Sequence, residues 1–189
     1  MPYTFKYYNP DKTLRFQKQL KKIKCKGITK KGLSCKTETY FGIPYCWRHI
    51  KDFNLTIKKS NIAGKGLFAY SKVKNIVFKK EDVIVQCMCP KISLYESNRR
   101  YGEEGTGPYL TNVGNDREKL KDCAGYRDIF SMANTSHDPK IINAYAAADE
   151  NDKLFLFASK NIKNGEEIIW DYGDEYNIEN NHKTVYTRI

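Results

Sequence analysis

Short apolar stretches separated by turn residues are the feature of this chain that most constrains its fold. They occupy residues 66–70, 82–86 and 154–158 and are rich in Val, Ile, Leu and Phe. Apolar runs of this length and composition, bounded by turn residues, are typical of β-strands. The chain is therefore predicted to be mainly β.

Helices are predicted at two places only. Residues 93–102 begin with Ser93 at an N-cap position, and Glu96 three residues later completes a capping box. Closer to the start, apolar residues spaced among lysines at residues 11–23 predict a short basic helix. The expected fold class is mainly β with short helices.

Positive charge is concentrated at the start of the chain. Residues 1–60 hold 15 Lys and Arg against 3 Asp and Glu, whereas the remainder holds 18 against 19. A basic segment attached to a near-neutral domain indicates contact with a polyanion such as nucleic acid, and a solvated, solubilising segment is the alternative. Residues 131–179 hold 10 acidic residues against 4 lysines, a balance that favours a cationic peptide substrate.

Neither a membrane span nor an export signal is evident in the sequence. No run approaches the ~18 apolar residues that a membrane helix needs, and the first residues lack the apolar stretch of a signal peptide. We expect an intracellular protein without a membrane partner.

Three cysteines and one histidine lie within a segment rich in Gly, Thr, Ser and Pro. Three thiolates and one imidazole form the ligand set of a closed, tetrahedral structural zinc site. A segment this short has too little apolar surface to fold unaided, so a metal would supply the missing stability. Scattered reduced thiols are the alternative. The predicted zinc ligands, in a module of residues 24–50 that resembles small Cys3His modules of viral and mobile-element proteins, are Cys25, Cys35, Cys46 and His49.

The other three cysteines are Cys87, Cys89 and Cys123. Without an export signal, disulfides are not expected, and the apolar surroundings of these residues indicate buried packing thiols.

Four separated motifs occur in a fixed order. Residues 61–69 read Asn-Ile-Ala-Gly-Lys-Gly-Leu-Phe-Ala, and residues 92–110 include the predicted helix followed by Gly-Pro-Tyr-Leu. Residues 122–139 end in Ala-Asn-Thr-Ser-His-Asp-Pro, and residues 162–176 read Ile-Lys-Asn-Gly-Glu-Glu-Ile-Ile-Trp-Asp-Tyr-Gly-Asp-Glu-Tyr. Two glycines one residue apart in the first motif would let a ligand approach the main chain closely. In the last motif, residues 166–170 are predicted to form a strand after a tight turn at Gly165.

Together these motifs resemble the SET-domain lysine methyltransferases. The resemblance implies a β-clip fold of small sheets over residues 61–176, S-adenosylmethionine as the cofactor, and a basic protein such as a histone tail as the substrate. The remaining segments would be a basic N-terminal segment at residues 1–23, a linker at 51–60, and a C-terminal tail at 177–189 that could cover the site as a lid. A chromatin-associated location in the nucleus would follow from a histone substrate.

The resemblance also implies roles for individual residues. Tyr172 and Tyr109 are the candidate catalytic residues, and Tyr109 and Trp170 would line the channel for the substrate lysine. The candidate cofactor-binding residues are Gly64, Lys65, Gly66, Leu67, Tyr101, Asn134, Thr135, Tyr172 and Tyr176.

Some positions depart from the family pattern. Thr135 stands where the family usually has His, and no cysteine follows Cys123 in this sequence, so the family's cysteine-rich tail is not expected here. These departures leave a second hypothesis open, in which the SET domain is weakly active or inactive and the zinc module binds nucleic acid or chromatin.

Overall fold

The fold is taken from a computed structural model, which describes residues 3–39, 43–102, 107, 109–114, 116–136, 138–172 and 185–188. Within these ranges the chain forms fifteen short strands, one α-helix and two 3-10 helices. The strands are β1 (Tyr3–Tyr8), β2 (Leu14–Leu20), β3 (Ile23–Lys24), β4 (Glu38–Thr39), β5 (Leu55–Lys59), β6 (Lys65–Ala69), β7 (Ile76–Phe78), β8 (Val83–Gln86), β9 (Lys91–Ser93), β10 (Leu110–Val113), β11 (Asp116–Asp122), β12 (Ala144–Ala148), β13 (Leu154–Ala158), β14 (Ile162–Lys163) and β15 (Val185–Arg188). The helices are α1 (Leu94–Tyr101) and the 3-10 helices His49–Phe53 and Phe130–Met132.

The N-terminal segment forms a three-stranded sheet in the order β15-β1-β2. The helix predicted at residues 11–23 is therefore wrong. Within β2, Leu14, Phe16 and Leu20 are an even number of residues apart, as expected for one face of a strand. In the antiparallel pair of β1 and β2, Phe16 lies opposite Tyr7. The aromatic face of this sheet packs on Tyr101, because Tyr7 and Phe16 both meet that ring edge-on. The four described residues of the C-terminal tail pair with β1, so this part of the tail belongs to the N-terminal sheet.

The segment between the cysteine module and the following domain is part of the domain core. Residues 51–60, for which the sequence predicts a linker, contain the end of the first 3-10 helix and strand β5. Strand β5 pairs antiparallel with β6 along its whole length, and Leu55 is fully buried. The cysteine module thus leads into the sheet that carries the Gly64–Gly66 motif.

The core lies between small sheets. One sheet has the order β12-β13-β8, a second has the order β10-β11-β9, and β7 pairs with β14. Burying these side chains supplies most of the driving force for folding, at about 25 cal/mol for each Å² of apolar surface. The largest fully buried apolar side chains of this core are Ile50, Leu55, Leu67, Leu154, Leu156, Ile162 and Ile168.

The strands predicted at residues 66–70, 82–86 and 154–158 and the helix predicted at residues 93–102 are confirmed. The Ser93 Oγ accepts a hydrogen bond from the Glu96 N–H at 3.2 Å, as the N-cap requires. The Glu96 carboxylate does not complete the capping box, since it binds Arg99 and Arg100. These ion pairs hold the pKa of Glu96 down at about 2.

Among the described residues, no helix is long and apolar enough to cross a membrane.

Residues 166–170 are extended but do not form the predicted strand. They make single bridges to three different neighbours: Glu167 to Phe68, Ile169 to Asn134, and Trp170 to Ala144. The first bridge is antiparallel and the other two are parallel. This segment therefore joins several parts of the chain at one place, and the candidate site lies there.

Candidate active site and metal clusters

Asn134 lies where the loop after the second 3-10 helix meets the extended segment. Its side-chain Nδ2 donates to Glu167 Oε1 at 2.8 Å. The main-chain oxygens of Ala63 and Lys65 lie 3.2 and 3.4 Å from the same nitrogen. The first and third motifs, which are about 70 residues apart in sequence, therefore converge on one amide group.

At Gly66, strand β6 lies close to the side chains of Glu167 and Asn134. A Cβ atom at this position would overlap the Glu167 carboxylate and would lie 3.1 Å from the Asn134 Nδ2. Gly64 adopts a φ of +48°, a left-handed conformation that glycine adopts at little cost. The structure thus gives a physical reason for both glycines, while Lys65 begins β6 and Leu67 is fully buried in the core.

Glu167 is a site residue to which the sequence reasoning gave no role. Besides Asn134, its carboxylate accepts a hydrogen bond from Ser60 Oγ at 2.9 Å. Its main-chain oxygen accepts one from Asn143 Nδ2 at 2.8 Å, and Asn143 Oδ1 accepts from the Ile169 N–H at 2.9 Å. The sequence carried one signal: Glu167 is the second Glu of the Gly-Glu-Glu motif and directly precedes the apolar residues 168–170.

Tyr172 is held at both its hydroxyl and its backbone. The hydroxyl donates to the Ala133 carbonyl at 2.6 Å, and the backbone N–H lies 3.3 Å from Thr135 Oγ1. Its ring lies 4.8 Å from the Trp170 ring, which in turn packs against Phe130 at 5.3 Å. The phenol thus lies against an aromatic wall, with its oxygen beside a main-chain carbonyl.

Trp170 is mostly buried, and its indole Nε1 has no hydrogen-bond partner within the described part of the chain. Buried N–H groups are nearly always paired with protein or water. An unpaired donor in an aromatic wall is compatible with a site that admits a further polar group.

Tyr109 has an unusual backbone conformation, with φ at +65°. Such conformations of non-glycine residues are strained and concentrate at functional sites. The Arg127 guanidinium lies over the Tyr109 ring, 3.1 Å from its centroid. Arg127 is mostly buried and was not singled out in the sequence, because nothing in its local pattern separates it from other arginines.

Tyr101 lies apart from this arrangement. Its ring belongs to the cluster beneath the N-terminal sheet, and its hydroxyl donates to Asp122 Oδ2 at 2.9 Å. Burial and the neighbouring Asp122 carboxylate raise the pKa of the phenol. These contacts give Tyr101 a packing role, whereas Tyr176 lies outside the described residues.

The four predicted zinc ligands come together. The Cys25, Cys35, Cys46 and His49 ligand atoms all lie within 4.8 Å of one another. The His49 Nδ1 is 3.3 Å from one sulfur, that of Cys25, and 3.4 Å from another, that of Cys46. Tetrahedral zinc with ordinary bond lengths places sulfur and nitrogen roughly 3.6 Å apart, so these distances suit zinc.

The surroundings of this cluster also suit a metal. The N–H groups of Gly27 and Cys46 donate to Cys25 Sγ at 3.3 and 3.2 Å, and the His49 Nε2 lies 3.0 Å from the Ile28 carbonyl oxygen. An imidazole bound to metal through one nitrogen commonly donates from the other in this way. A Cβ atom at Gly27 would overlap the His49 ring, so the site requires glycine there.

The remaining cysteines differ from expectation. Cys87, Cys89 and Cys123 are all buried as predicted, but Cys89 and Cys123 form a disulfide. The expectation of three free thiols is therefore wrong. The ends of β8 and β11 bring these two residues to a Cα–Cα distance of 5.1 Å, which permits a disulfide. Cys87 remains a free thiol, and burial raises its pKa to about 12.

Comparison with known proteins decides the family. A family model described as the SET domain matches residues 64–173, more than half of the chain. The chain belongs to the SET-domain family. Human Histone-lysine N-methyltransferase 2D is 24% identical over 147 residues, which are 76% of this chain and 2% of that protein. Histone-lysine N-methyltransferase trr of Drosophila melanogaster is 24% identical over 159 residues, which are 82% of this chain and 6% of that protein.

Solved structures agree with this fold. A crystal structure of the Chaetomium thermophilum polycomb repressive complex 2 has a TM-score of 0.53 at 24% identity, over 68% of this chain and 16% of that one. A crystal structure of an active polycomb repressive complex 2 in the stimulated state has a TM-score of 0.52 at 26% identity, with the same coverage. The SET-domain fold predicted from the motifs is confirmed. This chain spans only a small part of these relatives.

Proposed function

We propose that this SET-domain chain is a protein lysine methyltransferase that uses S-adenosylmethionine and acts on a basic protein, with a histone tail as the first substrate to test. The observation that carries the proposal is the convergence of three distant motifs. Asn134 contacts Glu167 and the main-chain oxygens of residues 63 and 65, and the Tyr172 hydroxyl binds the Ala133 carbonyl next to Asn134. Relatives named as histone-lysine methyltransferases support the same activity.

The residues around Asn134 fit the amino-acid end of S-adenosylmethionine. The carbonyl groups of Ala63 and Lys65 are acceptors suited to an ammonium group, and the Asn134 amide offers both donors and an acceptor. Gly66, which lacks a side chain, lets Glu167 and Asn134 approach the main chain of β6 closely. When bound, the cofactor supplies an electrophilic methyl group on a sulfonium. Gly64, Lys65, Leu67 and Thr135 stay in the proposal as neighbours of this site.

Tyr172 and its neighbours would prepare the substrate amine. A lysine must be neutral to attack a methyl group, yet its usual pKa is about 10.4. A channel walled by Tyr172, Trp170 and Tyr109 would disfavour the charged amine through desolvation. The Ala133 carbonyl fixes the Tyr172 hydroxyl through a 2.6 Å hydrogen bond, so the phenol oxygen would hold one orientation while the amine is aligned. Alignment of this kind accounts for much of the expected rate gain.

The charge distribution supports a cationic substrate. Residues 131–179, which include Asn134 and Tyr172, hold 10 acidic residues against 4 lysines. A negative potential near the site would raise the encounter rate with a basic tail. With a histone substrate, the protein would act at chromatin in the nucleus.

The activity can be tested with labelled S-adenosylmethionine and three substrates: core histones, nucleosomes and free histone peptides. We expect label on a specific lysine, and we expect Tyr172→Phe to reduce turnover at least tenfold while cofactor binding persists. Tyr145→Phe is the matched control, because the Tyr145 hydroxyl binds Glu81 at the surface. Full activity in Tyr172→Phe, or equal loss in both variants, would contradict the assignment.

We also propose that the Cys25, Cys35, Cys46 and His49 cluster holds a structural zinc ion. Metal analysis of the purified protein should find zinc, and Cys46→Ser should remove one equivalent and destabilise residues 24–50. Absence of zinc from the wild-type protein would dismiss this proposal.

A second candidate function, nucleic-acid binding, is favoured by a groove beside the zinc cluster. The groove has a volume of about 730 Å³ and is lined by Trp47 together with four basic side chains, Lys30, Arg48, Lys51 and Lys72. Trp47 is 67% exposed, and the cationic groups of Arg48 and Lys51 each lie 5.5 Å from its ring. An exposed aromatic ring among cations is suited to stacking a base beside bound phosphates.

Binding of a single-stranded oligonucleotide should weaken steeply with salt, and Trp47→Ala should weaken it further. Exposed Trp47 gives the measurement a fluorescence signal. If the protein binds the oligonucleotide but calorimetry detects no binding of S-adenosylmethionine, the binding function replaces the catalytic one. Salt-independent affinity, or unchanged affinity in Trp47→Ala, would dismiss the groove as the site.

A further inference from the structure

A second cluster of metal-binding groups lies inside the SET domain, separate from the zinc module. Cys87 and Cys89 follow β8, Cys123 follows β11, and Asp128 lies on the loop before the second 3-10 helix. Their three sulfurs and one carboxylate oxygen all lie within 4.8 Å of one another. Each residue is at most 2% exposed.

Asp128 is difficult to explain as a packing residue. A carboxylate that is 1% exposed is costly unless it is paired or binds a metal, and burial raises its pKa. Within the described part of the chain it has no salt bridge. Its oxygens accept hydrogen bonds from the Met88 and Ser131 N–H groups at 2.5 and 2.9 Å. Backbone donors of this kind orient a ligating carboxylate and leave it a lone pair for a metal.

Lys121 is the neighbouring buried cation, and its charge acts on both Asp128 and Cys87. It is only 9% exposed, and its ammonium donates to the Cys89 carbonyl at 3.0 Å. A buried ammonium is expensive without negative charge nearby. Three thiolates and a carboxylate around a divalent ion would carry a net charge of about −2, which the Lys121 ammonium would partly balance.

We propose that the reduced protein binds a second zinc ion through Cys87, Cys89, Cys123 and Asp128. Three sulfurs and one oxygen complete a tetrahedral set, and sulfurs on zinc lie roughly 3.8 Å apart. The Cys87 and Cys123 sulfurs are 3.9 Å apart. Zinc binding at this cluster does not require the proposed methyltransferase activity.

The disulfide and the zinc ion exclude each other, because both use the sulfurs of Cys89 and Cys123. A thiol reductant would break the S–S bond by supplying two electrons and two protons and would itself become a disulfide. Zinc would then displace the three cysteine protons to solvent. The reducing interior of a cell favours this state.

Zinc at this cluster would also restrain the loop that leads to the candidate active site. Asp128 and Ser131 are tied together by a hydrogen bond from Ser131 Oγ to the Asp128 carbonyl at 2.9 Å as well as by the carboxylate. The same loop continues to Ala133 and Asn134, the residues that hold Tyr172 and Glu167. A metal on Asp128 would therefore fix the wall of the candidate active site.

The test is zinc stoichiometry in full-length protein purified under reducing conditions. We expect two equivalents in the wild type. Asp128→Asn, which conserves shape, and Cys87→Ser should each retain one, and Cys46→Ser should also retain one by losing the other ion. A double variant, Cys46→Ser with Asp128→Asn, should retain none.

Two further outcomes separate the sites. The wild type could instead hold a single equivalent of zinc. If that equivalent survives Cys46→Ser but not Asp128→Asn, the result supports the new site and dismisses the one in the zinc module. One equivalent that is lost in Cys46→Ser and kept in Asp128→Asn overturns the new site. Intact mass of the alkylated wild-type protein needs no variant: a Cys89–Cys123 disulfide that persists under reducing purification, with a single zinc, also overturns it.

Discussion

Replacing Glu167 by Ala should damage both the stability of the domain and its affinity for the cofactor. The change removes the hydrogen bonds from Asn134 Nδ2 and Ser60 Oγ to the carboxylate, at 2.8 and 2.9 Å. Hydrogen bonds to a charged group contribute about 1.5–3 kcal/mol each. The site is only partly buried, so the low end of this range applies, and we expect a loss of about 3 kcal/mol.

The expected loss can be measured in two ways. For a chain of this size, 3 kcal/mol corresponds to a fall in Tm of about 6–12 °C, which thermal unfolding would detect. Because the Asn134 amide would lose its orientation, calorimetry should find that S-adenosylmethionine binds about tenfold more weakly, a change of about 1.4 kcal/mol.

Glu166→Ala is the matched control. Glu166 is the preceding residue of the same motif and is exposed. Among its described contacts, its carboxylate accepts one hydrogen bond, from the Lys163 N–H within a turn, at 2.8 Å. We expect its loss to cost about 1 kcal/mol or less and to leave cofactor affinity unchanged. If Glu167→Ala behaves like Glu166→Ala in both assays, Glu167 does not organise the site and the reasoning fails.

Three further predictions follow from other parts of the structure. Trp170→Phe replaces the indole by a smaller ring, so it should widen the proposed lysine channel and raise the share of higher methylation states in the product, as measured by mass spectrometry. An unchanged product distribution would count against Trp170 as a channel residue. Gly27→Ala should prevent zinc binding by the module, because the added methyl group would overlap the His49 ring, and an unaltered zinc content would contradict this. Glu96→Gln should lower stability at neutral pH, because ion pairs depress the pKa of Glu96 to about 2; the difference from the wild type should disappear as the pH falls from about 4.5 toward 2, and a difference that persists at pH 2 would refute this.

The sequence predicted the family and several strands because these depend on local patterns. The glycine pair, Asn134 and Tyr172 lie in short patterns, and the strands at residues 82–86 and 154–158 have compositions that few other structures share. The helix predicted at residues 11–23 failed because its few apolar residues fit periods of both two and 3.6. Pairing with β1, a tertiary contact, decided between them.

Contacts between distant segments could not be predicted. Glu167 acquires its role from Ser60, which is 107 residues away in sequence, and Arg127 from the ring of Tyr109. The second cysteine cluster is similar, since Cys87 and Cys123 are 36 residues apart and lack metal-ligand spacing. A single sequence carries no signal for such pairs.

Thr135 was the strongest reason to doubt that this SET domain is active, since the family usually has His at that position. In the structure the threonine Oγ1 lies 3.3 Å from the backbone N–H of Tyr172 and is positioned to accept its hydrogen bond. Tyr172 is thereby held at its backbone by Thr135 and at its hydroxyl by Ala133, the second residue before Thr135. Because a threonine hydroxyl is sufficient for this contact, the substitution preserves the position of the phenol. The departure from the family pattern at Thr135 therefore does not weaken the case for Tyr172.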